Sequence, residues 1–163
     1  MRIVILGVGN ILLSDEGVGV RAIERFQHEY RVPPQVEVID GGTAGMELLE
    51  DLAHATHLII VDAVRSRKEP GTIVRIAGDD VPVFFKTKLS PHQVGLSDVL
   101  ATLAFNNEQP GGVTVFGVEP LSLETGMALT PQVEALLPTL TSLIVSELGL
   151  LGVVVERAAL EAA

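Results

Sequence analysis

Short apolar runs alternate with stretches of helical periodicity along the whole chain. Residues 2–6 are β-branched and apolar and lead into Gly7-Val8-Gly9-Asn10, which predicts a central strand closed by a tight turn. Ser14 and Asp15 offer N-cap oxygens to a helix reaching about Tyr30, with Val18, Ala22, Ile23 and Phe26 at helical spacing and Pro33-Pro34 beyond its end. Residues 36–39 predict a second strand ending in Asp40-Gly41-Gly42-Thr43. Met46, Leu48, Leu49 and Leu52 populate the helix that follows. A third strand at 58–61 ends at Asp62, a loop spans 65–71 and a fourth strand 72–76. Residues 79–93 are the least regular part, before a helix at 96–106, a turn at 107–112 and a strand at 113–117. Pro131 can open the last helix, within which Pro138 marks a kink or an early break.

Strands alternating with helices imply an α/β fold with a mainly parallel sheet covered on both faces, because each parallel crossover must carry a helix back over the sheet. Ligands in such folds sit outside the carboxyl ends of the strands. Glu16, Asp40 and Asp62 all fall at that edge.

Composition narrows the partners. A chain of 163 residues, 47% hydrophobic and 20% charged, predicts a single globular domain over 1–163. A net charge of −10, with one short basic run at Arg65 to Lys68, argues against nucleic acid and anionic membrane surfaces. The absence of cysteine removes disulfides, thiolate ligands and a cysteine nucleophile, and is compatible with a reducing cytosol. The first apolar run is too short for an export signal. Residues 136–155 form the most apolar stretch, but Pro138, Thr139, Thr141, Ser142, Ser146 and Glu147 interrupt it, so a buried helix is expected in place of a membrane span.

The first strand, its Gly-x-Gly turn and Asp40 superficially match a dinucleotide-binding unit. Leu12 occupies the third glycine position, however, and Asp15-Glu16 would repel a pyrophosphate at the helix start. Glu16, Asp62 and His92 instead form a candidate set of two carboxylates and an imidazole, suited to a divalent ion such as nickel or zinc with positions left open. Asp40 is a further candidate, as an orienting or catalytic carboxylate. His28, His54 and His57 lack a comparable setting. No Gly-x-Ser-x-Gly elbow, His-Glu-x-x-His helix or Walker-type loop occurs.

The order and spacing of these segments carry a resemblance. Gly7-Val8-Gly9-Asn10-Ile11-Leu12-Leu13-Ser14-Asp15-Glu16-Gly17-Val18-Gly19, Asp40-Gly41-Gly42-Thr43-Ala44-Gly45, Asp62-Ala63 and Ser90-Pro91-His92-Gln93-Val94-Gly95 resemble the ordered motifs of the nickel-iron hydrogenase maturation endopeptidases. The resemblance runs from the first strand to about Pro138. It implies a three-layer αβα sandwich with a twisted sheet of about five strands. It also implies a cytoplasmic processing peptidase that removes a C-terminal extension from the hydrogenase large-subunit precursor after nickel insertion; a monomer is expected. Glu16, Asp62 and His92 would contact that nickel, which is carried by the substrate, although other divalent ions suit the same set. Asp40 or Asp62 would serve as general base, in an aspartic-type or metal-assisted reaction. Glu119 and Thr130 depart from the family's more frequent Gln and Ser. A noncatalytic metal-sensing chaperone of the same precursor is the alternative, with a dinucleotide-binding enzyme behind it.

Overall fold

The computed structural model describes residues 1–86 and 91–158. Five strands form the main sheet: β1 (Ile3–Val8), β3 (Val36–Gly42), β4 (His57–Ala63), β5 (Ile73–Ala77) and β6 (Val113–Val118). Their order across the sheet is β3-β1-β4-β6-β5. All neighbours are parallel except β5, which runs antiparallel to β6 at one edge. The α/β expectation and all five strands are therefore found, and an antiparallel edge strand is a common addition to such sheets.

Helices cover both faces. On one side, Ile3, Ile5, Ile59, Val61, Phe116 and Val118 pack against α1 (Val18–Glu29) and α6 (Leu137–Leu150) through Val18, Phe26, Leu140 and Ile144. On the other, Val4, Leu6, Leu58, Ile60 and Val115 pack against α2 (Leu49–Leu52), α3 (Asp80–Lys86) and α4 (Pro91–Phe105) through Leu52, Val81, Leu96 and Val99. Every residue of β1 is buried, because the strand lies inside the sheet and both of its faces are covered. Burying each such Ile, Leu or Val contributes roughly 1.5–3 kcal/mol relative to exposure.

Several expectations change. The first helix does not begin at a Ser14 or Asp15 cap: a 3-10 turn (Ser14–Gly17) precedes α1, and neither helical start carries a side-chain cap bond. Ser14 takes a φ of 52° so that its N–H and hydroxyl reach the carbonyls of Gly126 and Glu124, which diverts it from capping. Tyr30 leaves the helix, and β2 (Tyr30–Arg31) pairs antiparallel with β7 (Glu156–Arg157), a contact between distant segments that periodicity does not show. The second helix divides into a 3-10 turn (Met46–Leu48) and α2, burying Leu48 and Leu52 and leaving Met46 exposed.

Much of the supposedly irregular region is helical as well. Residues 80–86 form α3, and α4 starts at Pro91, five residues before the expected start. Proline is tolerated at a first helical position, where its missing N–H has no intrahelical partner to lose. Gly95 lies in that first part of α4 and is packed closely there: an added Cβ would stand 3.3 Å from the Cα of Gly45. A residue chosen for close approach was thus readable as a loop signal.

The final segment breaks where its prolines suggest, into α5 (Pro131–Glu134) and α6, with Pro138 in the first turn of α6. The span Pro131–Leu150 has the length and hydropathy of a membrane helix, yet Leu137, Leu140, Ile144 and Leu148 are buried in the core. Their burial accounts for the apolar composition.

Candidate functional site at the carboxyl edge of the sheet

Register places the candidate residues along one edge. Gly7 of β1 stands opposite Asp40 of β3 on one side and Val61 of β4 on the other, and Asp62 stands opposite Gly117 of β6. Glu16 lies on the 3-10 turn directly beyond β1, and that turn packs against β4. Glycines permit the approach. A Cβ on Gly9, whose φ is 131°, would run into the Glu16 carbonyl, and one on Gly19 would run into the carbonyl oxygens of Val61 and Val8. The Gly-x-Gly turn is therefore filled by the chain's own backbone, and the space a pyrophosphate would need beside Gly9 holds Glu16.

Asp62 is fully buried near the end of β4. Alternation along the strand sets it in the row of Leu58 and Ile60, facing α4. The Gln93 side-chain amide donates to Asp62 Oδ2 at 2.8 Å and to the Ala63 carbonyl at 2.9 Å. Gln93 itself is only 4% exposed, so a carboxylate that would be costly to bury is held by a charge-assisted hydrogen bond in a dry setting.

His92 precedes Gln93 in the first turn of α4, where a loop had been expected. Its backbone is thereby carried to the Asp62 end of the sheet, while its side chain lies outside the described residues. Among the described residues, no three His, Asp or Glu side chains assemble as a metal cluster, and the candidate set requires His92.

Asp40 sits apart from this group. Register puts it in the row of Ile5, Ile59 and Val61, on the α1 face of the sheet, whereas Asp62 faces α4. Asp40 is exposed, and its Oδ1 accepts the Gly42 N–H at 2.9 Å across the irregular end of β3, where Gly42 has a φ of 47°. Just beyond, Glu47 accepts the Gly45 N–H at 2.9 Å, and backbone N–H donation from Glu47 and Gly45 holds its carboxyl below the ordinary carboxylate range.

From the sequence, Asp15 is a helix-cap candidate and Glu119 and Thr130 are departures from the family pattern; the structure gives each of them a different part at this edge. Asp15 has no exposed surface, and its carboxylate accepts the N–H groups of Leu121, Ser122 and Thr130 at 2.9, 3.1 and 2.8 Å together with the Thr130 hydroxyl. Glu119, 8% exposed, accepts the Ser66 N–H at 2.7 Å and its hydroxyl at 2.9 Å, pinning the exposed basic loop that follows Asp62. The two departures noted above, Glu119 and Thr130, thus each hold a segment adjoining a candidate ligand. The adjacency of Asp15 to Glu16, and of Gln93 to His92, was the available signal.

A polar chain centred on buried Thr114 and Glu147 lies at the opposite edge, separate from this site. His57 Nε2 meets the Thr114 hydroxyl at 2.9 Å, Thr114 donates to Glu147 Oε1 at 2.7 Å, and Arg75 pairs with the same carboxylate at 2.8 Å. It ties α6 to β4, β5 and β6.

A sequence model of the hydrogenase maturation proteases matches residues 20–147. The hydrogenase 2 maturation protease of Escherichia coli (strain K12) is 54% identical over 138 residues, covering 84% of each chain. The hydrogenase expression/formation protein HupD of Rhodobacter capsulatus is 40% identical over 160 residues, covering 97% of this chain and 76% of its own. Among solved structures, the hydrogenase maturating endopeptidase HybD from E. coli superposes with a TM-score of 0.95 at 48% identity, covering 98% of this chain and 99% of that one. The hydrogenase 2 maturation peptidase from Thaumarchaeota archaeon SCGC_AB-539-E09 superposes with a TM-score of 0.72 at 29% identity, covering 92% and 99%. With motifs, fold, family match and near-full-length relatives in agreement, the chain belongs to the hydrogenase maturation protease family.

Proposed function

We propose that this chain is a cytoplasmic processing endopeptidase that removes the C-terminal extension of a hydrogenase large-subunit precursor once nickel has been inserted. The observation that carries the reading is the meeting at one sheet edge of the Glu16 turn, the end of β4 with Asp62, and the first turn of α4, which follows from the Gln93–Asp62 bond. Two carboxylates and an imidazole fit a borderline divalent ion. In this reading Glu16, Asp62 and His92 touch the nickel that the precursor presents, so the metal is part of the substrate and its presence orients the scissile segment.

Hydrolysis requires a water to lose a proton as its oxygen attacks the peptide carbonyl, and the departing nitrogen to gain one as the C–N bond breaks. Asp40, exposed at the same edge with Oδ1 anchored to Gly42, is our candidate general base; Asp62 is held as a ligand by Gln93. The products are the trimmed large subunit with a new carboxylate and a free tail with a new amino terminus.

The test is incubation of the purified chain with nickel-loaded and nickel-free precursor, followed by mass spectrometry. Loss of the tail mass from the loaded form alone is expected. An unchanged precursor mass would favour a chaperone that senses the metal without cutting, and equal cleavage of both forms would remove the nickel checkpoint.

A further inference from the structure

The residue before Glu16 is fully buried and is bound to a distant segment of the chain. Successive residues of a 3-10 turn project about 120° apart. Within Ser14–Gly17, Asp15 is directed into residues 121–130, while the turn itself rests on β4. The connection to 121–130 is a continuous seam. Gly126 N–H donates to the Leu12 carbonyl, Ser14 N–H to that of Gly126, Asp15 N–H to that of Ser122, and the Asp15 carboxylate closes it with Leu121, Ser122 and Thr130.

The backbone around Glu16 has no slack on its other side either. Its carbonyl fills the space at Gly9, and a Cβ on Gly17 would come within 2.8 Å of the Ile11 Cα. A helix cap does not explain Asp15, because neither the 3-10 turn nor α1 receives a side-chain cap bond. Three N–H groups and a hydroxyl require both oxygens of a carboxylate; an asparagine has one acceptor oxygen and would turn its own NH2 against donors. A buried charge satisfied this fully is costly to disturb.

We propose that Asp15 is the positioning residue for Glu16, locking the 3-10 turn to residues 121–130 so that the Glu16 carboxylate is presented beside Asp62. This rests on Glu16 acting as a nickel contact, and it makes residues 121–130, where Leu121 is 51% and Met127 63% exposed, mechanically continuous with that contact.

The experiment compares wild type, Glu16→Gln, Asp15→Asn, Thr130→Ser and Thr130→Val. It reads kcat and KM on nickel-loaded precursor, Ni²⁺ affinity of the precursor-free chain by calorimetry, and thermal midpoint. Removing a group that orients a metal contact typically lowers affinity about 10–100-fold, so Asp15→Asn is expected to lose about tenfold or more in Ni²⁺ affinity and in kcat. Thr130→Ser, which keeps the hydroxyl, is expected to retain wild-type behaviour, and Thr130→Val to fall between. Ile144→Val, a core change remote from the edge, is added as a stability control and is expected to lower the thermal midpoint without moving Ni²⁺ affinity, which separates lost stability from lost positioning. If Glu16→Gln is impaired but folded Asp15→Asn binds and cuts as wild type, the positioning role is overturned and the nickel reading stands. If Glu16→Gln is itself unimpaired, both fall. Should Asp15→Asn not fold, Thr130→Val decides, and wild-type affinity and kcat in it overturn the proposal.

Discussion

The side-chain amide of Gln93 donates to Asp62 Oδ2 at 2.8 Å and, with the same nitrogen, to the Ala63 carbonyl at 2.9 Å, fixing α4 to the end of β4 at two points. Replacing Gln93 with Leu keeps an apolar volume of similar length but leaves buried Asp62 short of a donor. A destabilisation of about 1–3 kcal/mol is expected from urea unfolding, because a buried acceptor loses one of its hydrogen bonds. Processing of nickel-loaded precursor should fall about tenfold or more as Asp62 loses its orientation. Retention of full activity would show that Asp62 is held without Gln93.

The contact between α1 and the sheet edge depends on Gly19. Adding a Cβ there would collide with the carbonyl oxygens of both Val61 and Val8, which are backbone atoms in buried strands and cannot swing aside. Gly19→Ala is expected to cost about 3 kcal/mol or more by displacing α1 from β1 and β4. Thermal unfolding and soluble yield would report it, and a stable variant would mean that the helix can slide without penalty.

Asp40 and Asp62 call for different outcomes under the same chemical change. Asp40→Asn preserves an acceptor for the Gly42 N–H, so the local backbone and the thermal midpoint should survive while the processing rate drops about 100-fold, as befits loss of a general base. Asp62→Asn should instead weaken Ni²⁺ binding. Wild-type turnover by Asp40→Asn would reduce that residue to its bond with Gly42.

Acid sensitivity should come partly from the far end of the molecule. Burial holds the His57 ring below its ordinary 6.5, with Glu147 pulling it upward and Arg75 pressing it down. Glu147 stays below its ordinary 4.5 because hydrogen bonds from Arg75 and Thr114, with the Arg75 charge, outweigh the effect of its burial. Both groups bind their protons more readily in the unfolded chain. Their stabilisation is thus complete above pH 6.5 for His57 and above pH 4.5 for Glu147, and is lost as pH falls through each lower folded value. Denaturant midpoints should decline on acidification from pH 7; His57→Asn should flatten the upper part of that decline and Glu147→Gln the lower. Thr114→Val should cost about 1–3 kcal/mol near neutrality by removing a donor from buried Glu147.

The strands were legible because their signal is local. Residues 2–6, 58–61 and 113–117 are nearly continuous apolar runs, as befits strands covered on both faces, and each ends in glycine or aspartate. Helix starts were less legible. Ser14-Asp15 has the composition of a cap, but its polar atoms are engaged by residues 121–130, and Pro91 with Gly95 resembles loop punctuation although both lie inside α4.

Along one strand, side-chain period and apolar content are properties of neighbouring residues, so the sequence by itself determined the five strands, their helical crossovers, and the edge to which Glu16, Asp40 and Asp62 belong. Only the tertiary structure decided that Asp40 and Asp62 face opposite sides of the sheet, that Gln93 grips Asp62, and that Asp15 holds the Glu16 turn against donors 106 to 115 residues away. The physical reason is burial. A carboxylate removed from water takes whatever donors the fold brings to it, and those donors need share nothing with it in the linear chain.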